Sequence, residues 1–241
     1  MLFEYVNAFD AICTSRPSKT CKSPYVADVI IEESTELVHA PALGMDGYIS
    51  PNKSVLIQKI PKPTGACKYA IVAAYDSEKK IYVGANPLHA NKVFHEACKR
   101  QLFADDFGHI DSIVPEYTHG NSRFDFFVND SVYVEVKSVL IADGDTAYFP
   151  VGNRKKGTIS ERANKHLTEL TTLAKEGQSC AVVFMVMRND VTEFSPNPKD
   201  QIFCNCLKFA YDAGVQVLVF QFEVSTKGIE YVTKLQYTGF E

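Results

Sequence analysis

Hydrophobic positions divide this chain into two patterns that meet near Gly84. In the first half, short apolar runs span Tyr25 to Ile31, Leu37 to Ala40, Ser54 to Ile60, Tyr69 to Tyr75 and Lys80 to Val83. Pro41, Gly44, Gly47, Pro51, Pro61, Pro63 and Gly65 punctuate them. Short strands at this spacing predict a small barrel or sandwich. After Gly84 the period lengthens. Asn86-Pro87 opens a helix, with Asn as cap and Pro at the first helical position. Leu88, Val93, Phe94, Ala97 and Cys98 then form its apolar stripe. Runs at Arg123–Val128 and Val132–Val139, separated by Asn129-Asp130, predict a β-hairpin. Thr158-Ile-Ser-Glu161 has capping-box spacing, and Ile159, Ala163, Leu167, Leu170 and Ala174 recur helically up to Gly177. A buried strand over Ala181–Met187, a helix between Gln201 and Ala213 and a strand over Val215–Phe222 complete a mixed sheet flanked by helices.

The hairpin carries the candidate chemistry. Alternation places Tyr133, Glu135 and Lys137 on one strand face, and Val132, Val134 and Val136 on the other. It places Asp125 opposite Phe124 and Phe126, beside Glu135 and Lys137. Two close carboxylates form a hard-oxygen site suited to Mg²⁺ or Mn²⁺. A neighbouring lysine stabilises phosphate charge or orients a water. An acid followed by Glu-x-Lys on adjoining strands resembles the PD-(D/E)XK metal-dependent nucleases. Read alone, Glu-Val-Lys is more simply a surface ion pair of little energetic weight; Asp125 in the paired strand and the apolar opposite face bring the two readings level. On either reading these side chains lie on a polar face, and truncating them should leave the fold intact.

Further segments occur in a telling order: Ala27-Asp-Val29, Val83-Gly-Ala-Asn86, Ser122-Arg-Phe-Asp-Phe126, Tyr133-Val-Glu-Val-Lys-Ser-Val139, Ala147-Tyr-Phe-Pro150, Glu161-Arg-Ala-Asn-Lys-His-Leu167 and Ala213-Gly-Val215. Together, from about Arg16 onward, they resemble the sugar fermentation stimulation family of DNA-binding proteins. That resemblance implies an OB-like barrel over residues 1–84 and a PD-(D/E)XK nuclease-like α/β domain over 85–241. It also implies DNA binding, with metal-dependent nuclease chemistry suggested by the fold. Asp125, Glu135 and Lys137 then become catalytic residues, and Glu96, Asp125 and Glu135 the ligands of Mg²⁺ or Mn²⁺. Arg123, Arg154, Lys155, Lys156, Arg162, Lys165 and His166 become the nucleic-acid contacts. Three positions depart from the family pattern: Asn164 stands where Gln is usual, Pro41-Ala-Leu-Gly44 replaces a Pro-Asn-Thr-Gly-type loop, and Val151–Thr158 reads as an insertion.

Charge and cysteines narrow the picture. A net charge of -4 supplies no global basic field, so nucleic-acid binding would rest on local Lys and Arg clusters. The seven scattered cysteines lack zinc-ligand spacing and imply a reducing, intracellular compartment, most simply the cytoplasm. The N-terminal residues lack a secretory signal pattern, and no apolar run reaches membrane-spanning length. Two other functions stay open: a non-catalytic DNA-binding regulator of sugar-metabolism genes, and a single-strand-binding module using the barrel's Tyr25, Tyr48, Tyr69 and Tyr75. Oligomeric state is not readable from the sequence.

Overall fold

A computed structural model of the chain describes all residues except Asp46, Asn121, 152–159 and 238–241. Its first half forms β1 (Phe3–Glu4), β2 (Phe9–Ser15), β3 (Val26–Ile31), β4 (Ser34–His39), β5 (Ser54–Lys59), β6 (Tyr69–Asp76) and β7 (Ile81–Gly84). Strands pair in the order β4-β3-β2-β5-β6, and a parallel β4–β6 pairing closes them into a five-stranded barrel. Cys13, Val29, Val38, Leu56 and Ile71 point inward and are fully buried.

The second half begins with α1 (Leu88–Lys99) and the short α2 (Ala104–Phe107). The Asn86 side chain accepts the Leu88 backbone N–H at 3.1 Å, so the asparagine caps α1 as its position predicts. Val93, Phe94, Ala97 and Cys98 are buried beneath it, whereas Leu88 is exposed and does not belong to the stripe. There follow β8 (Ile113–His119), β9 (Ser122–Val128), β10 (Val132–Val139), β11 (Ile141–Asp143), β12 (Thr146–Phe149) and α3 (Glu161–Lys175). Last come β13 (Ser179–Val186), β14 (Glu193–Pro196), α4 (Gln201–Asp212), β15 (Gln216–Ser225) and β16 (Gly228–Leu235). Asn129 and Asp130 both take left-handed φ, the backbone that a tight hairpin needs and that Asn and Asp tolerate. The Asn129 side chain also accepts from Asp111 N and donates to the carbonyls of Phe107 and His109, so it anchors the segment before β8 to this turn.

β10, β13 and β15 run parallel, with antiparallel β9 and β8 at one side. A separate small sheet joins β11, β12 and β14. On one face of the main sheet, α1 covers Phe126, Val134, Val136, Val183 and Phe220. On the other, α3 and α4 cover Phe124, Tyr133, Val182, Phe184 and Val219. The barrel is not detached from this layer. β7 pairs with β15, and β1 pairs with β16, so one hydrogen-bonded sheet runs through both halves.

Where the two halves meet, Arg188 is 2 % exposed and fully engaged. Its guanidinium donates to both Asp190 oxygens at 2.7 Å, to the Tyr48 hydroxyl at 2.8 Å and to the Leu140 carbonyl at 3.3 Å. Tyr48 is therefore an anchor in this cluster, not a free stacking residue of the barrel. No helix among the described residues is long and apolar enough to cross a membrane. All seven cysteines are free, with Cys13, Cys98 and Cys180 buried.

Candidate active site at a break in the sheet

Alternation along β10 is regular. Tyr133, Glu135 and Lys137 face α3, while Val134 and Val136 face α1. This face is not solvent-exposed, as a surface ion pair would require. Glu135 is 2 % exposed, and the Lys137 side chain only 11 %. Lys137 Nζ donates to Glu135 Oε1 at 2.5 Å. His166 Nδ1, from α3, makes a short contact to the same oxygen and lies 3.1 Å from the lysine amine. Burial pushes the Glu135 carboxyl up, but the hydrogen bond from His166 and the Lys137 charge outweigh it and hold Glu135 below its ordinary value. Glu135 is a buried, ionised carboxylate.

β9 does not alternate as the sequence predicts. Phe126 packs on the α1 face and Phe124 on the α3 face, although they are two residues apart. The reason lies at Asp125. Pairing with β10 stops at Val134↔Phe126, and pairing with β8 skips from Pro115↔Phe126 to Tyr117↔Phe124. Opposite Asp125 on β8, Glu116 has φ of 55°, a strained conformation for a non-glycine residue. Asp125 is thus released from both ladders. One of its oxygens accepts the Val136 backbone N–H at 2.8 Å, and the other accepts Asn91 Nδ2 from α1 at 2.8 Å. The carboxyl reaches the backbone of β10 directly beside Glu135. Burial and the Glu135 charge raise its pKa, against the two hydrogen bonds and Lys137.

The predicted site residues therefore separate. Glu135, Lys137 and His166 form one buried cluster, with Asp125 joined to it through the backbone of Val136. His166 is a partner of Glu135 and not an outward-facing nucleic-acid contact; its place within Lys165-His-Leu167 was the only signal available. Glu96 is not brought to the site. Its carboxylate binds Arg100 Nε at 2.7 Å and lies 3.7 Å from Lys99, on a different face of α1 from Asn91, five residues earlier. The α1 residue that reaches Asp125 is Asn91, which the sequence reading overlooked. Among the described residues no three His, Cys, Asp or Glu side chains are grouped as a metal cluster. Arg162 and Lys165 are exposed on α3, with Lys165 3.6 Å from Glu169. Arg123 is exposed and paired with Glu116 at 2.9 Å. Arg154, Lys155 and Lys156 lie outside the described residues.

A closed small barrel joined to a mixed α/β sheet, with an acid and a Glu-x-Lys strand at a break in that sheet, defines a class of two-part proteins. The family model for the sugar fermentation stimulation protein RE domain matches residues 88–228, more than half of the chain. A sugar fermentation stimulation protein homolog from Clostridium acetobutylicum is 31% identical over 220 residues, 88% of this chain and 92% of the relative. One from Clostridium perfringens is 28% identical over 232 residues, covering 94% and 95%. The chain belongs to the sugar fermentation stimulation protein family. The fold matches the structure of Pyrococcus furiosus SfsA in complex with Ca²⁺, with a TM-score of 0.80, 23% identity and 98% of both chains covered.

Proposed function

We propose that this protein binds DNA and hydrolyses phosphodiester bonds with a divalent cation held at Asp125 and Glu135. The observation that carries the reading is the buried, ionised Glu135 with Lys137 on its own strand and Asp125 freed from the ladders beside it. The donor set fits Mg²⁺ or Mn²⁺: both groups are hard carboxylates, and the repulsion that raises Asp125 is relieved by a cation between them. That a relative's structure was obtained in complex with Ca²⁺, another hard cation, agrees with such a site in the family. When bound, the cation would lower the pKa of a water and polarise a phosphoryl oxygen.

The protein's own groups supply the rest. Glu135 and Asp125 offer oxygens. Lys137, released from Glu135, points its amine at a phosphate oxygen or the attacking water. His166 and Asn91 fix the two carboxylates from opposite faces of the sheet. Exposed Arg162 and Lys165, with Arg123 and the Arg154-Lys155-Lys156 run, provide phosphate contacts, so binding is modest and steeply salt-dependent.

A second reading, a DNA-binding regulator without cleavage, draws on a different observation. Both oxygens of Asp125 and one of Glu135 already have protein partners. The deciding experiment incubates purified protein with single- and double-stranded DNA in Mg²⁺ or Mn²⁺, beside Glu135→Gln and Lys137→Met. Hydrolysis by the wild type and a loss of at least about a hundredfold in both variants supports the nuclease. Binding without hydrolysis supports the regulator.

A further inference from the structure

The same break in the sheet that frees Asp125 also opens a cavity of about 280 Å³ on its α1 side. Asn91, Lys92 and His95 of α1 form one wall, and the cross-strand pair Pro115 and Phe126 forms another; Asp125 lies where they meet. None of these residues except Asp125 belongs to the Glu135 cluster. Most of the surface facing the cavity is apolar, and its size is at the lower end of ligand pockets, about 300 Å³. Two carboxylates, Asp125 and Glu116, border it. Within the cavity itself, away from a cation at Asp125 and Glu135, a phosphate would meet two carboxylates and apolar walls, with only Lys92 to offset them. A neutral planar heterocycle would meet neither obstacle.

The planar groups suit such a guest. The half-buried His95 ring lies over the core side chain of Phe126, tilted by 23° with centroids 6.0 Å apart, so its other face is left for a guest, and Pro115 adds a flat aliphatic surface. Asn91 spends its amide N–H on Asp125 and keeps its carbonyl oxygen to accept from an exocyclic amine. Lys92 sits at the wall with its amine 5.5 Å from the Phe3 ring, within reach of a sugar–phosphate backbone leaving the cavity. We propose that this cavity is a nucleobase pocket that takes one unstacked base of a single strand bound across the site. The inference rests on the nucleic-acid reading above and sharpens it: the preferred partner is single-stranded or locally opened DNA, because a base within a duplex cannot enter.

The test separates the pocket from the chemistry by measuring binding in EDTA, where metal-dependent hydrolysis does not operate. The probe is a single-stranded oligonucleotide carrying 2-aminopurine, compared with the same strand in a duplex, each titrated with wild type, His95→Ala and His95→Phe. The single strand should bind more tightly than the duplex, and 2-aminopurine emission should change on binding. His95→Ala should weaken single-strand binding about tenfold, the scale of one lost base–aromatic stack. His95→Phe should stay within about twofold of wild type, and duplex binding should be the same for all three. Equal losses for single strand and duplex, no loss in His95→Ala, or no emission change would overturn the pocket, whether or not the protein cleaves DNA. Should His95→Ala fail to fold, titration of the wild type with the dinucleotide d(TpT) decides. The His95 and Phe126 ring protons must shift, and shifts confined to Arg162 and Lys165 refute the proposal.

Discussion

Asp125, partly buried, and Glu135, fully enclosed, are joined through one backbone amide, yet the two faces of the sheet move them in opposite directions. On the α1 face burial wins. Asp125 has neutral partners, Asn91 and a peptide N–H, and its pKa rises. His89, on the same helix and packed against Phe3 and Tyr5, is driven down to about 4 by burial and by Lys92. Both groups shift toward their neutral forms. On the α3 face charge wins: Lys137 and His166 converge on Glu135 and keep it ionised despite its burial. A carboxylate's depth therefore says little about its protonation here; the hydrogen-bonding and charged groups that share its enclosure decide it.

The strongest test of this contrast removes the charge at the centre of the α3 face. Glu135→Ala should destabilise the protein by about 3–5 kcal/mol, because Lys137 is left enclosed without its anion and His166 without its hydrogen-bond partner. This reverses the sequence-based expectation that truncation is harmless. Urea denaturation measures it. A loss under about 1 kcal/mol would mean that the cluster behaves like a surface pair. Asp125→Ala, which leaves only neutral partners unpaired, should cost less.

A smaller effect is expected on the α1 face as pH changes. His89 is depressed in the folded state, so the unfolded chain binds the proton more readily between the ordinary value of 6.5 and about 4. Stability is present above that window and is lost as pH falls through it, by about 3 kcal/mol on linkage. His89→Phe keeps a ring against Phe3 and should flatten that part of the stability–pH curve. An unchanged slope would assign the acid loss to other groups, among them Glu135, whose depressed pKa gives the same sign.

The smallest effect distinguishes the two carboxylates directly. Asp125 has a raised folded pKa, so its contribution to stability is present at low pH and lost as pH rises through that value. Glu135→Gln removes the repelling charge and should lower the Asp125 pKa toward normal, although burial still holds it up. A carboxyl-resolved NMR titration of the variant reads this out. No movement of Asp125 would mean that burial alone sets its pKa.

Much of this site was visible along the chain, and what was hidden has identifiable causes. Glu135 and Lys137 follow from simple alternation in a regular strand, and β10, β13 and α4 fall within a residue or two of their expected ends. Asp125 could be marked as important but not oriented. Its direction depends on a ladder broken on both sides and on Asn91, 34 residues away. His166 was visible only as a polar residue of α3, because nothing local tells a helix which strand residue it will cover. β8 escaped because it lies beside one strand only and contains Pro115, which an edge tolerates but which interrupts a strand pattern. β2 and β16 were missed because polar residues break their apolar runs, Asp10 and Thr14 in one and Glu230, Thr233 and Lys234 in the other.

The pairing of β1 with β16 has a consequence for how the molecule is made. Phe3 aligns with Ile229 and Glu4 with Gly228, and the Leu2 and Tyr5 amides donate to Ile229 and Lys227. Phe3 and Glu4 find these partners only after more than two hundred further residues have been added. At 5–20 residues per second this is a delay on the order of ten to forty-five seconds. Meanwhile Phe3 and Tyr5 cannot complete the aromatic contact that brackets His89. The barrel strands can assemble during synthesis, but the seam that ties β1 to the mixed sheet closes only after β16 is made. That seam is where a ribosome-bound chaperone would find apolar chain still open.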